Sequence, residues 1–202
     1  MRRAVLHLKR ADPVLAGIIE RVGPYRILYA EPDFETLVRS VLLQQLSGKA
    51  AKTIFARFKG AVTRGSRMRP EEVLVLSREV LRGLGLSTRK AEYVHDLAAK
   101  VEAGVVDLAK LSHLSDAEVT EHLGQVKGIG PWTAQMFLLF GLKRPDVLAT
   151  GDLGIRGAVK KAYRMRTLPS PARVAKMATR WHPYCSVACW YLWRSLEDAP
   201  GL

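Results

Sequence analysis

Apolar positions along the chain recur at intervals of three and four. Phe34, Leu37, Val38, Val41, Leu42 and Leu46 form such a stripe behind Asp33, a natural N-cap. Ala50, Ala51, Ile54, Phe55 and Phe58 form a second after Ser47, and Gly60 is expected to close it. Pro70 with Glu71 and Glu72 opens a short third helix, the acids lying where the helix dipole favours them. Ser77 opens a fourth, ended by Gly83 and Gly85. Ser87 caps a fifth carrying Ala91, Val94, Leu97, Ala98 and Val101. Ser115 with Glu118 makes a capping box for a sixth, and Pro131 fits the first turn of a seventh that runs to Gly141. Further helices are expected from Asp152 to about Tyr163, after Ser170-Pro171, and from Pro183 to near Glu197. No Val/Ile/Thr-rich alternation supports a sheet, so the expected fold is all-α. The clearest irregular stretch, LKRPDVLATG at 142–151, reads as a connection between two helical lobes, with a cleft between them as the place for an active site.

Composition narrows the class. The 202 residues are 48% apolar, enough for a sizeable core, and carry a net charge of +13. The charge is segregated. No acid lies between Leu153 and Leu196, a segment holding Arg156, Lys160, Lys161, Arg164, Arg166, Arg173, Lys176, Arg180 and Arg194. The segment 101–126 is acidic, with Glu102, Asp107, Asp116, Glu118 and Glu121 against Lys110. Such separation suits a face for a polyanion, most often nucleic acid. Cys185 and Cys189 share one helix face, a poor geometry for a disulfide, and read as free buried thiols suited to a reducing cytoplasm. Two cysteines are too few for a four-thiolate iron–sulfur cluster. The histidines at 7, 95, 113, 122 and 182 show no ligand spacing, so no zinc site is expected. The N-terminal MRRAVLHLKRADP lacks the apolar core of a signal peptide, and no apolar run reaches membrane-spanning length.

The stretch LGQVKGIGPWTA at 123–134 joins a capped helix to a Pro-started one. Its glycines allow tight backbone conformations and close approach to another molecule, and Ile129 between them can plug back into the core. Amides around 128–133 would then face outward at a helix start, a ready phosphate site. The alternative is a Gly-rich connection with no ligand. The stretch resembles the helix-hairpin-helix motif, apolar-x-x-hPGhGxxTA, with Lys127 in place of the more usual proline. Such a hairpin, about 122–141, holds the DNA backbone without reading sequence. The resemblance implies backbone contacts from Ser47, Lys127, Gly128, Ile129, Gly130 and Thr133.

Asp152 stands behind Gly151 at an expected helix start, and the chain is then acid-free until Glu197. An Asp in that place is most often just an N-cap. Yet a hairpin followed by an aspartate behind a Gly or Pro-Asp turn resembles the signature of a DNA glycosylase superfamily. Four blocks are similar to its 3-methyladenine DNA glycosylase II (alkylpurine glycosylase) branch: SVLLQQLSGKAAKTIFARF at 40–58, LRGLGLSTRKAEYV at 81–94, KGIGPWTAQMFLLFGLKRPDVLATGDLGIRGAV at 127–159 and WHPYCSVACWYLWR at 181–194. The resemblance implies a central lobe of 34–144 inserted between 1–33 and 145–202, with no N-terminal β domain. It implies a catalytic role for Asp152, as the anion that stabilises oxocarbenium-like charge and orients water. It also implies a base pocket of Trp132, Met136, Tyr184 and Trp181, in which Tyr184 stands where the family often has tryptophan and Met136 where some members have tyrosine. A minor-groove wedge at Gln44, Gln45 and Leu46 would fill the space left by a flipped base, with Gln45 the first choice. Relatives that also nick the strand carry lysine where this chain has Trp132, so a monofunctional hydrolase is expected, with no cofactor and no required metal. A monovalent cation on the carbonyls of Gly124, Val126 and Ile129 is a further expectation. The expected partner is double-stranded DNA containing alkylated bases, bound by a cytoplasmic monomer. Two alternatives stay open: a non-catalytic hairpin DNA-binding protein, and a glycosylase/lyase for another lesion.

Overall fold

In the computed structural model, residues 1–44 and 48–196 are described, with the side chains of 48–51 left aside. Among them there is no strand. Twelve α-helices follow in order: α1 (Arg2–Ala11), α2 (Pro13–Val22), α3 (Phe34–Leu43), α4 (Gly48–Val62), α5 (Pro70–Leu74), α6 (Arg78–Gly83), α7 (Thr88–Glu102), α8 (Asp116–Gly124), α9 (Pro131–Met136), α10 (Leu153–Ala162), α11 (Pro171–Ala178) and α12 (Cys185–Arg194). The chain forms two compact units, one of 30–142 and one of 1–29 with 143–202.

Helix starts lie where short polar side chains satisfy the first free amides. Asp33 accepts from Thr36 N, Ser77 from Val80 N, Ser87 from Lys90 N and Ser170 from Arg173 N. Ser115 and Glu118 close a reciprocal capping box at α8. Three boundaries differ from expectation. Gly60 does not end α4, which continues to Val62. A helical glycine costs only about 1 kcal/mol, and burial of Phe58 and Val62 outweighs that. The last helix begins at Cys185, after the cis His182-Pro183 bond, and ends at Arg194. The helical run after Pro131 changes character at Phe137, where Phe137–Gly141 form a π-turn.

The 30–142 unit packs α3, α7, α8 and the α9 run around Leu37, Val41, Leu97, Leu123 and Phe137, all buried. In the other unit, helices α1 and α2, unforeseen from the sequence, pack with α10 and α12. Their joint is Asp12. One of its oxygens caps α2 through Val14 N and Leu15 N at 3.0 and 3.2 Å. The other accepts from the Trp181 indole at 2.9 Å and from the Tyr163 hydroxyl. Burial first, and then the Asp12 carboxylate, push the Tyr163 phenol far above its ordinary pKa, so it stays a neutral donor. The stretch 142–151 is irregular as expected, but from Lys143 onward it is fastened within its own unit. Val147 N donates to Ser186 Oγ at 2.9 Å, and Ser186 Oγ donates to Arg144 O at 2.6 Å.

Asp12 is 1% exposed. Replacing it by alanine removes a cap and leaves a buried indole N–H and a half-buried phenol without their acceptor, so Asp12→Ala is expected to lower unfolding free energy by about 3 kcal/mol. Asp12→Asn, which keeps an acceptor at the cap, loses less. Urea unfolding followed by circular dichroism measures both.

Candidate active site

The hairpin lies between α8 and α9, and one face of α7 builds it. Tyr93, Asp96 and Lys100 recur at intervals of three and four, so they share that face. The Asp96 carboxylate accepts the Lys127 backbone N–H at 2.7 Å and the Lys100 ammonium at 2.8 Å. Lys100 also donates to the Gln125 carbonyl at 2.6 Å. Burial pushes the Asp96 pKa up, but the hydrogen bonds from Lys100 and Lys127 outweigh it, and the net shift is downward. Gly128 has φ +81°, and a Cβ there would stand 2.1 Å from the Tyr93 ring. Two independent reasons therefore require glycine: the left-handed backbone and the aromatic ring lying on it. Ile129 is buried, as expected of a plug, and its amide closes the turn on Val126 O at 3.1 Å.

That closure corrects the reading of the turn's donors. The Ile129 amide is spent inside the hairpin, on one of the three carbonyls expected to hold a cation. Thr133 is buried and its hydroxyl accepts from the Gln44 side-chain amide at 2.8 Å, so its side chain presents no phosphate contact. Gln44 also donates to Gly128 O at 2.8 Å. It therefore braces the hairpin here and is not the projecting tip of a wedge. Lys90, one turn before Tyr93 on α7, fixes the end of α3 by donating to the carbonyls of Leu42 and Gln44 at 2.6 and 2.8 Å. Gln45, Leu46 and Ser47 lie outside the described residues. Lys127, Gly128 and Gly130 are exposed.

Asp152 begins α10. Its Oδ1 accepts Ile155 N at 2.7 Å, so the residue is an N-cap as well as a catalytic candidate. The same oxygen accepts the Trp193 indole N–H at 2.9 Å. A Cβ on Gly154 would lie 3.0 Å from that oxygen and 3.1 Å from the Trp193 ring, so glycine makes room for the pairing. The carboxylate is half-buried, fixed by two donors at the positive end of a helix dipole. Trp193 was not singled out from the sequence, although it closes the block at 181–194. Its role depends on a partner 41 residues away.

A fixed carboxylate that follows a hairpin in the chain is the arrangement the sequence resemblance implies, and comparison with known proteins points to the same family. Residues 38–183 match the model of the HhH-GPD superfamily base excision DNA repair proteins. The chain belongs to that superfamily, in its alkylpurine glycosylase family. DNA-3-methyladenine glycosylase 1 of Schizosaccharomyces pombe is 34% identical over 203 residues, spanning 98% of this chain and 89% of the relative. The structure of an S. pombe 3-methyladenine DNA glycosylase in complex with abasic DNA superposes with a TM-score of 0.89 at 36% identity, covering 95% of each chain. A Bacillus halodurans DNA-3-methyladenine glycosidase gives a TM-score of 0.83 at 36% identity, covering 96% of this chain and 89% of the other.

In this glycosylase-family chain, the four pocket candidates differ in standing. Trp132 is 37% exposed. Met136 is buried in the α9 run. Tyr184 is half-buried, edge-on to His7 with ring centroids 5.3 Å apart. Trp181 is a correction: it is 0% exposed and its indole is tied to Asp12, so it packs the core and presents no surface to a base. Cys185 and Cys189 are free and buried, as expected. Burial, with the Asp152 charge adding to it, pushes the Cys189 thiol up to about 12. The sequence reading also found no ligand spacing among the histidines, but His182 and Cys185 are brought together with Asp146.

Gly128→Ala is expected to weaken binding of duplex DNA by at least about tenfold, because the strain and the clash with Tyr93 each cost on the order of 1 kcal/mol or more. Fluorescence anisotropy on a labelled duplex reads the change. Gly124→Ala, where a Cβ meets nothing within 4 Å, serves as the matched control.

Proposed function

We propose that this protein is a monofunctional DNA glycosylase that hydrolytically excises alkylated purines, of the 3-methyladenine and 7-methylguanine class, in base excision repair. The observation that carries the reading is Asp152: a carboxylate held by Ile155 N and Trp193 Nε1 at the start of α10. It lies in a chain whose relatives along nearly the whole length are named DNA-3-methyladenine glycosylases.

The chemistry follows from the substrate. Alkylation at a ring nitrogen makes the purine cationic, so it leaves as a neutral base without a strong general acid. The C1′–N bond breaks with its electron pair going to the base, and positive charge develops at C1′. The Asp152 carboxylate stabilises that charge and orients the water that adds to C1′, whose proton is released. Anchoring by two donors keeps the carboxylate in place, so little reorganisation is needed as charge develops. A cationic base is drawn to aromatic faces, and the partly exposed Trp132 is the candidate for it. The target nucleotide leaves the stack to react, while the hairpin with exposed Lys127, Gly128 and Gly130 grips the backbone. Strand nicking needs an amine to attack C1′. The position where nicking relatives carry lysine is Trp132, which supports a purely hydrolytic enzyme. We take it to work as a monomer on DNA in the cytoplasm, without cofactor.

Asp152→Asn keeps an oxygen for the cap and for Trp193. It is therefore expected to fold and bind DNA while excision of 3-methyladenine falls by at least about 100-fold. Chromatography of bases released from methylated duplex DNA reads the outcome, and release at the unmodified protein's rate sinks the mechanism. Borohydride added during turnover is expected to trap no covalent protein–DNA adduct. A trapped adduct would establish the lyase reading instead.

A further inference from the structure

Where the fastened stretch after Lys143 meets the start of α12, a carboxylate, an imidazole and a thiol converge. Asp146, His182 and Cys185 place one ligand-type atom each within 4.8 Å of one another. Asp146 Oδ2 lies 2.8 Å from His182 Nδ1, and Cys185 Sγ lies 3.6 Å from the same nitrogen. None of the three has a part in the glycosylase chemistry derived above.

Two chemistries use such a trio. A nucleophile relay needs the thiol on one ring nitrogen and the carboxylate on the other. Here both address Nδ1, and Cys185 is wholly buried, so a relay is ruled out. A metal ion needs the opposite: all three donor atoms turned toward one point. We propose that Asp146, His182 and Cys185 form a zinc site, with water as the fourth ligand.

The distances carry this. Zn–S of about 2.3 Å and Zn–N of about 2.0 Å put sulfur and nitrogen about 3.5 Å apart across a tetrahedral ion. The observed separation is 3.6 Å. Nitrogen and carboxylate oxygen would stand about 3.3 Å apart around zinc. The present 2.8 Å is a hydrogen bond, so the imidazole must open by roughly half an ångström as the metal replaces the shared proton. The His182 side chain is 49% exposed and can make that movement. A thiolate, an imidazole and a carboxylate suit zinc among the common biological cations. The second carboxylate oxygen, Oδ1, accepts the Cys185 backbone N–H at 3.1 Å, which orients the ligand from behind. The sulfur is buried, whereas the imidazole and carboxylate are partly exposed, which leaves them accessible to a water ligand. On binding, the Cys185 thiol loses its proton to solvent and the imidazole proton moves to Nε2, leaving Nδ1 as donor. The ion would cross-link the stretch that leads to Asp152 to the start of α12, beside Tyr184. Its role is structural, outside the hydrolytic step.

The test uses the full chain, stripped of metal by a chelator and titrated with cobalt(II) under reducing, anaerobic conditions. One equivalent is expected to bind with a thiolate-to-cobalt charge-transfer absorption, which one equivalent of zinc abolishes. Cys185→Ser is expected to remove that band. His182→Gln, an exposed change that leaves the core untouched, is expected to weaken zinc binding by about tenfold or more. If circular dichroism shows Cys185→Ser unfolded, His182→Gln and Asp146→Asn decide the matter. The proposal is overturned if the unmodified chain gives no charge-transfer band, or if the His182 and Asp146 variants bind cobalt(II) and zinc as it does. Neither readout depends on base excision.

Discussion

The hairpin depends on one charged pair, Asp96 with Lys100, because that pair fixes the turn from behind. Asp96 takes the Lys127 amide and Lys100 takes the Gln125 carbonyl, so both backbone polarities of the turn are tied to a single helix face. Tyr93 fills the space a side chain would need at Gly128, and Lys90 on the same stripe holds the end of α3. The turn thus has its shape in the protein alone. Association energy from the proposed phosphate contacts would not be spent on ordering it, and contacts to backbone carry no preference for sequence. Both properties suit a protein that must touch much undamaged DNA briefly.

Helix starts were the most legible feature of the sequence because capping is local. Ser77, Ser87, Ser115 and Asp152 each meet an amide three residues on, and a reader of the sequence sees both partners at once. Asp12 shows where that legibility ends. Its cap on α2 is local, but its importance comes from Trp181 and Tyr163, which lie far along the chain. The α7 stripe was hidden for the same reason. Residues 93, 96 and 100 have helical spacing, yet nothing local says that they face a turn beyond residue 123.

The candidate site divides along that line. Asp152 and the Gly128-Ile129-Gly130 turn could be located from motif and spacing. The assignments of Thr133, Gln44 and Trp181 changed because burial and long-range hydrogen bonds are properties of packing. Thr133 and Gln44 satisfy one another inside the 30–142 unit, and the Trp181 indole satisfies a buried carboxylate in the other. In each case a polar or aromatic side chain that looked available was already needed to close a buried hydrogen bond. Trp193 is the converse, a residue passed over that turned out to hold the carboxylate.

The double duty of Asp152 has an evolutionary consequence. In many enzymes an active-site charge is a local burden on the fold, and neutralising it raises stability at the expense of activity. Here the carboxylate that would face developing charge also caps α10 and accepts from a tryptophan through its Oδ1. Drift toward an apolar residue at this position would uncap a helix and, in the proposed mechanism, silence the chemistry as well. Selection for a sound fold and selection for repair would then pull on the same residue in the same direction.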